Sequence, residues 1–526
     1  MAEETLITGP PDFVGVGTQR SGTTWWQRLL KSHPQIRTPR NRKKEQHFFD
    51  KFGKRPMTDA DVARYHDQFP RAPGELAGEW TPRYMRDVWG PRVVKRAAPD
   101  AKILVMFRDP VERYRSGVLH TSSRKPGLKW EWLSTDATER GRYAEQLRRL
   151  YDYFDPEQVL VLQYEQCTQD PLHHYSQTLE FIGAPAHVPK DLTRTRGTPT
   201  RSRREPIWDD LSEAIVRELE EDVLELSELV PHLDVSLWKN FAHLAEGRRR
   251  PRSEPPAAAP TRTAEGGPPD FVGLGTSHSG WNWWHKLMLE HPDVVRPKGG
   301  RSLEFFETFC SRAMTDEDVA AYHARFARAE GKVVGEWSPD YVYEAWTPML
   351  LKRAAPDAKL IVMLVDPVVR YSADVARSTR EREEADIVAN SPNRGCYTRQ
   401  LKRVLEFYDR DRVLVLQLER CMRDPAGEYA RTMRFLGVDD GFAPDGLRQG
   451  TLDRARRVLG RGDAPAGAPR MTRPDLWPDI EVPMLKFLES DVRGLREIVP
   501  ELDLALWPDF AHLVEDTARE PAPSHA

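Results

Sequence analysis

Two clusters of residues have the types and spacing to hold an anion. The first is Gly17-Thr18-Gln19-Arg20-Ser21-Gly22-Thr23-Thr24-Trp25, which follows the apolar run Phe13-Val14-Gly15-Val16. A glycine-bounded loop between a strand and a helix aims backbone N–H groups at an anion, and the helix start adds its positive dipole end. The spacing from Gly17 to Gly22 is that of a Walker loop, but Thr23 stands where such a loop has its lysine. The basic residue, Arg20, comes two positions before Gly22 instead. The second cluster is Arg108, directly after Ile103–Phe107, with Ser116 in the second turn of the helix that follows. A guanidinium at a strand end and a hydroxyl on the next helix can converge on one anion. Taken alone, Arg108 serves equally well as a surface arginine paired with Asp109 or Glu112.

These groups need a sheet to bring them together. Phe13, Val14 and Val16 are strand formers between Pro11 and Gly17, so the strand is placed at Asp12–Val16 and a helix at Thr23–Ser32. Thr58, with Asp61 in the first turn, caps a helix running to Phe69. Lys102–Phe107 is a continuous apolar strand of the kind buried on both faces of a parallel sheet, and Pro110 suits the start of the next helix. Further on come an amphipathic helix at Glu139–Phe154, a strand at Val159–Tyr164, and helices at Pro171–Ile182 and Leu211–Val230. The alternation predicts an α/β fold, a P-loop-type parallel sheet flanked by helices. Ligands of such sheets bind beyond the carboxyl ends of strands, which selects the residues after Val16, Phe107 and Gln163.

The pattern occurs twice. Gly267–Thr276 restates Gly9–Thr18, Gly335-Glu336-Trp337-Ser338-Pro339 restates Gly78-Glu79-Trp80-Thr81-Pro82, Lys352–Lys359 restates Lys95–Lys102, and Val413–Gln417 restates Val159–Gln163. A period this long is a duplicated domain, since solenoid repeats run to roughly 20–50 residues. The expected domains are 9–245 and 268–515, joined by a Pro/Ala/Arg-rich linker at 246–267 and followed by a disordered tail at 516–526. The 526 residues carry a net charge of −3, which gives no field for nucleic acid. No apolar run is long enough to span a membrane, and Met1–Pro10 has no leader-like apolar core. Four cysteines without CxxC spacing point to neither a disulfide framework nor a metal site, and to a cytoplasmic location.

Arg20-Ser21-Gly22-Thr23-Thr24-Trp25 resembles the phosphosulfate loop of sulfotransferases that use 3′-phosphoadenosine 5′-phosphosulfate (PAPS). In that family Lys or Arg precedes Ser-Gly-Thr-Thr. Arg108 and Ser116 match the family's 3′-phosphate pair, and Tyr164 matches a position that often contacts the adenine. Lys44-Glu45-Gln46-His47-Phe48-Phe49-Asp50 is similar to a segment of heparan-type carbohydrate sulfotransferases and many bacterial relatives in which the Glu is the general base. The resemblance implies transfer of a sulfuryl group from PAPS to an acceptor hydroxyl, on a carbohydrate, glycolipid or natural product, without a metal. Such transfer needs a base beside the acceptor hydroxyl and cations on the leaving phosphate. Glu45 would be the base, with His47 as the alternative, and Arg20 and Lys44 the cations. Without the resemblance, Lys44 and Glu45 form a solvated pair while His47 and Phe48 pack inward. Gly78–Tyr84 reads either as a stretch beside the acceptor cleft or as a Pro turn with a buried Trp80. The basic loop Thr195–Arg204 reads as a cover for the nucleotide or as a plain solvated loop. Trp238 and Trp507 read as core anchors.

The second copy lacks these groups. Arg20, Thr23 and Thr24 become His278, Trp281 and Asn282; Glu45 becomes Ser302; Arg108, Ser116 and Tyr164 become Val365, Ala373 and Leu418. A charge-assisted hydrogen bond contributes about 1.5–3 kcal/mol. Losing two or three costs roughly 4–8 kcal/mol, or some three to six decades of affinity. The expectation is an active first domain packed against a second that folds without binding PAPS, with Cys167 and Cys421 as matching structural thiols. Two rival readings remain: a non-catalytic anion-binding scaffold, and a P-loop kinase, which the missing lysine disfavours.

Overall fold

The computed structural model describes residues 6–124, 127, 129–192, 208–250, 266–327, 330–378, 384–447 and 476–516. The chain divides into two compact units: residues 1–250 with 388–390 and 476–487, and residues 251–387, 391–475 and 488–526. The Thr195–Arg204 loop and the 516–526 tail beyond Asp516 lie outside the described residues, as does most of the 246–267 linker.

The first unit is built on a five-stranded sheet. In chain order its strands are β1 (Phe13–Gly17), β2 (Ile36–Arg37), β3 (Leu76–Trp80), β4 (Lys102–Phe107) and β5 (Val159–Gln163), arranged β2-β3-β1-β4-β5. All pairings are parallel. The switch point lies at β1, so the loop after it sits where an open α/β sheet binds its ligand. Helices α1 (Thr23–Lys31), α2 (Asp59–His66), α3 (Gly90–Ala97), α4 (Pro110–Arg124), α5 (Trp130–Glu139), α6 (Tyr143–Tyr151), α7 (Tyr164–Gln169), α8 (Pro171–Ile182) and α9 (Asp209–Leu229) complete it. β1 is buried along its whole length. Gly15 is required there: a Cβ would lie 2.1 Å from the Trp80 ring. Trp26, Trp80, Leu104, Leu162 and Tyr175 form one core face.

Several boundaries differ from the sequence reading by a residue or two, and three differences have a local cause or consequence. The expected Glu139–Phe154 helix begins only at Tyr143, because α5 ends at Glu139 and Gly141 lies in the break, where a Cβ would meet Leu219. Tyr164 is the first residue of α7 and not the last of β5. The Thr58 helix stops at His66; its cap is as expected, with Thr58 accepting from Asp61 N–H and Asp61 accepting in return.

The second unit repeats the architecture, with β6 (Phe271–Gly273), β7 (Val294–Val295), β8 (Val333–Trp337), β9 (Lys359–Leu364) and β10 (Val413–Gln417) in the order β10-β9-β6-β8-β7. Thr315 and Asp318 repeat the capping box. Trp238 and Trp507 are both fully buried, and all four cysteines are buried and none forms a disulfide.

Candidate functional site

The β1–α1 loop is shaped by two left-handed residues, Arg20 (φ 71°) and Gly22 (φ 98°). Gly22 is the N-cap of α1 and brings no side-chain acceptor, so the first N–H groups of the helix face outward from the loop. Inside the loop, the Thr18 and Ser21 hydroxyls lie 2.6 Å apart, and Thr18 Oγ1 donates to the Met106 carbonyl. Ser21 and Thr23 are buried while Arg20 and Thr24 are exposed, and the Ser21 N–H donates to the Thr18 carbonyl at 3.4 Å. Trp25 lies in the core, edge-on to Trp26 and Tyr164, and donates to the Leu192 carbonyl.

The structure brings Arg20, Arg108, Ser116 and Tyr164 together. Arg20 Nε donates to Ser116 Oγ at 3.0 Å, and Arg108 Nη1 donates to the Arg20 carbonyl at 3.3 Å. The Arg108 guanidinium lies over the Tyr164 ring at 5.2 Å, and that ring backs Gly22. Arg108 also stands 3.5 Å from Glu112, so the surface pairing considered from sequence coexists with the cluster. Two cations, a hydroxyl and a helix start converge on one face, a donor set suited to phosphate and sulfate oxygens. The strand end is anchored by Tyr143, which donates to the Arg108 carbonyl, and by Asp109, which accepts from Val111 N–H, Glu112 N–H and Asn240.

The Lys44–Asp50 loop is tied to the same place. Gln27 of α1 donates to the Lys44 carbonyl at 2.9 Å. His47 is left-handed (φ 50°), and the turn is held by Thr81 Oγ1, which accepts from Gln46 N–H, and by the Tyr84 hydroxyl, which accepts from Phe48 N–H. Lys44 Nζ lies 2.6 Å from Glu45 Oε1; His47 Nε2 lies 3.1 Å from Glu45 Oε2 and its Nδ1 3.0 Å from Asp50 Oδ2. Burial works to raise the Glu45 carboxyl, but hydrogen bonds from His47 and Lys44 prevail and bring it down to about 2. The hydrogen bonds to Asp50 and then Glu45 push His47 up to about 10. The resting state is thus an ionised carboxylate between two cations. His47 is exposed, with its side chain 46% accessible, so the inward packing weighed from sequence is corrected: only Phe49 is buried and Phe48 partly so. The Gly78–Tyr84 stretch is the end of β3, Gly78 to Trp80, followed by this scaffold.

Three residues near the site were not singled out from sequence. Asp50 stands in the sequence as the end of the Lys44–Asp50 motif, and its place three residues after His47 is the available signal. Arg83 and His120 gave none. His120, on α4 one turn beyond Ser116, is brought down to about 4 by burial and then by Arg20, and is neutral. Its field also includes Glu45 and Lys44, so α4, the β1–α1 loop and the Lys44–Asp50 loop meet at one centre.

Residues 10–219 match the sulfotransferase domain family. The chain carries a sulfotransferase domain. The human heparan sulfate glucosamine 3-O-sulfotransferase 3B1 is 27% identical over 212 residues, covering 37% of this chain and 52% of the relative. The mouse heparan sulfate glucosamine 3-O-sulfotransferase 6 is 29% identical over 186 residues, covering 33% and 52%. A solved sulfotransferase from Alicyclobacillus acidocaldarius is 27% identical, covering 44% of this chain and 98% of that one, with a TM-score of 0.37. The chain spans about half the length of the curated relatives it matches. Sulfotransferases of this family use PAPS as donor, and the kinase reading falls with the match. Among the described residues no helix is long and apolar enough to cross a membrane, and no group of three or more His, Cys, Asp or Glu is placed to hold a metal.

The corresponding loop of the second unit keeps the same shape, with His278 (φ 66°) and Gly280 (φ 79°) left-handed. Its chemistry differs. Asp374 accepts from Arg370 at 2.7 Å and from Ser391 at 2.7 Å, and lies 3.1 Å from His278 Nε2. Val365 and Leu418 are fully buried where the first unit has Arg108 and Tyr164, and Trp281 packs against the core.

Proposed function

We propose that the first unit transfers the sulfuryl group of PAPS to a hydroxyl of a carbohydrate-like acceptor, giving a sulfate ester and PAP. The observation that carries this reading is the convergence of Arg20, Arg108, Ser116 and the α1 start on one face, with Lys44 and Glu45 beside them. PAPS supplies the sulfuryl group: its sulfur–oxygen bond to phosphate breaks as the acceptor oxygen bonds to sulfur. Arg108 and Ser116 hold the 3′-phosphate, with Tyr164 at the base. Arg20 and the backbone N–H groups of Gly22, Thr23 and Thr24 hold the 5′ end, while Ser21, bonded to Thr18, keeps the loop's shape and Trp25 braces it. Glu45 takes the acceptor's proton. Lys44, drawn to the leaving oxygen, slackens its hold on Glu45 and lets the carboxylate become more basic as charge develops. No metal enters this scheme. The heparan sulfate specificity in the relatives' names supports a sugar acceptor, and four buried cysteines outside any disulfide suit a reducing, cytoplasmic setting.

The test is direct. The full chain, incubated with PAPS and a panel of oligosaccharides, glycolipids and small alcohols, should yield a sulfated product by mass spectrometry. Arg108→Ala and Ser116→Ala should each weaken PAP binding in calorimetry without unfolding the chain. Unchanged PAP affinity in both variants overturns the assignment of the pair.

A further inference from the structure

The two copies act as an internal control. Beneath the Lys44–Asp50 loop, Glu79 accepts from Tyr65 at 2.9 Å and from Tyr84 at 3.1 Å; in the second unit Glu336 accepts from Tyr322 at 2.8 Å and from Tyr341 at 3.3 Å. Arg55 grips Asp61 as Arg312 grips Asp318. His47 and Glu304 are both left-handed, at φ 50° and 49°. This frame is common to both units, so it serves folding. What only the first has is an alternation of acidic and basic groups, Glu45, His47, Asp50 and Arg83, where the second has Ser302 and three carboxylates, Glu304, Glu307 and Asp340. Arg83 is replaced by a residue of opposite charge, and Asp340 is used differently, pairing with Arg394 at 3.2 Å and accepting from Ser277.

Arg83 is buried. Its Nε lies 2.9 Å from Asp87 Oδ2 and 3.7 Å from Asp50 Oδ2, the same oxygen that meets His47 Nδ1. Asp87 is fully buried, and Asp50 Oδ1 is buried without a hydrogen-bond partner. Two carboxylates so placed repel unless a cation stands between them; Arg83 is the cation that reaches both, while Arg86 lies 3.4 Å from the other Asp87 oxygen. We infer that Arg83, gripped by Asp87, is a positioning residue: it fixes Asp50, and through Asp50 and His47 it aims Glu45 at the acceptor hydroxyl. This rests on the sulfuryl-transfer reading for what Glu45 does, but not for how Glu45 is held.

Without Arg83, repulsion from Asp87 displaces or neutralises Asp50, and His47 loses its strongest partner. The charged groups around His47 are Lys44, Glu45 and Asp50 of its own loop and Arg83 from the segment after β3; His120 of α4 faces Glu45 and Lys44. The experiment is imidazole NMR on the full chain, with His47 assigned through His47→Gln. In the unaltered chain the His47 ring should stay doubly protonated beyond pH 8. In Arg83→Met its midpoint should fall by about two pH units towards the ordinary value near 6.5, with PAP affinity kept and the chain still folded at a lower melting temperature. Arg83→Lys should retain the high midpoint. Turnover of PAPS with heparan sulfate as probe acceptor should drop by about 10²-fold in Arg83→Met at unchanged KM for PAPS. If Arg83→Met does not fold, Arg83→Gln takes its place. An unchanged His47 titration in the folded variant overturns the inference. A chain that neither binds PAP nor forms it from PAPS overturns the sulfuryl-transfer reading instead, and the titration still decides the role of Arg83.

Discussion

Glu45 at rest is a poor base, held at about 2 by His47 and Lys44. A general base works best with its pKa near the working pH, so its partners must let go during the reaction. Lys44 is the partner that can, since it has the leaving oxygen to turn to. Glu45→Gln should therefore keep PAP affinity within a few-fold and lower turnover by about 10²–10⁴; if His47→Ala is crippled and Glu45→Gln is not, the two exchange roles. The pH dependence has a definite sign. Glu45 lies below its ordinary value, so its favourable contacts are complete above about 4.5 and are lost as pH falls towards 2. His47 lies above its ordinary value, so its contribution is complete below about 6.5 and is lost as pH rises through about 10. The stability gap between the unaltered chain and His47→Gln, measured by denaturant titration, should narrow steadily from pH 6.5 to 10. A gap that widens over that window rules out the ion-paired state of His47.

At the scale of elements, β1, β4 and β5 were legible because they are continuous apolar runs, and the caps at Thr58 and Pro110 because they obey local rules. β3 was not. Its sequence Leu76-Ala77-Gly78-Glu79-Trp80 puts a carboxylate in a buried strand, and only Tyr65, Tyr84 and Thr81, brought from elsewhere, make that tolerable. Burial raises Glu79 to about 7 even so. The same non-local logic hid Arg83 and His120, whose partners lie on other segments, whereas Arg20, Arg108 and Ser116 were visible because a loop and a strand end announce themselves. The Thr58 cap can be tested as an element: Thr58→Ala should cost about 1 kcal/mol of stability and leave PAP affinity unchanged. Loss of PAP binding in that variant would show that the cap reaches the donor site, contrary to its place at the start of α2.

At the scale of the molecule, the duplication separates what a sheet needs from what a site needs. The second unit keeps Phe271, Val272, Ile361, Val362, Met363, Val413, Leu414 and Val415 buried. It keeps the left-handed turns of its loop as well. Its cations are answered by its own carboxylates, Asp374 and Asp340, so an incoming phosphate would have to displace an internal anion as well as do without Arg108 and Ser116. A domain under no demand would not retain so complete a core beside so altered a loop. We propose that the second unit supports the first, in stability or acceptor binding, and that it performs no turnover of its own. Calorimetry on the full chain should therefore give one PAP per chain, and Arg108→Ala with Ser116→Ala should abolish it rather than halve it. Residues 1–245 expressed alone should be less stable or poorer at the acceptor step than the full chain. Two PAP per chain would refute the silent second site, and full activity and stability in residues 1–245 would remove its supporting role.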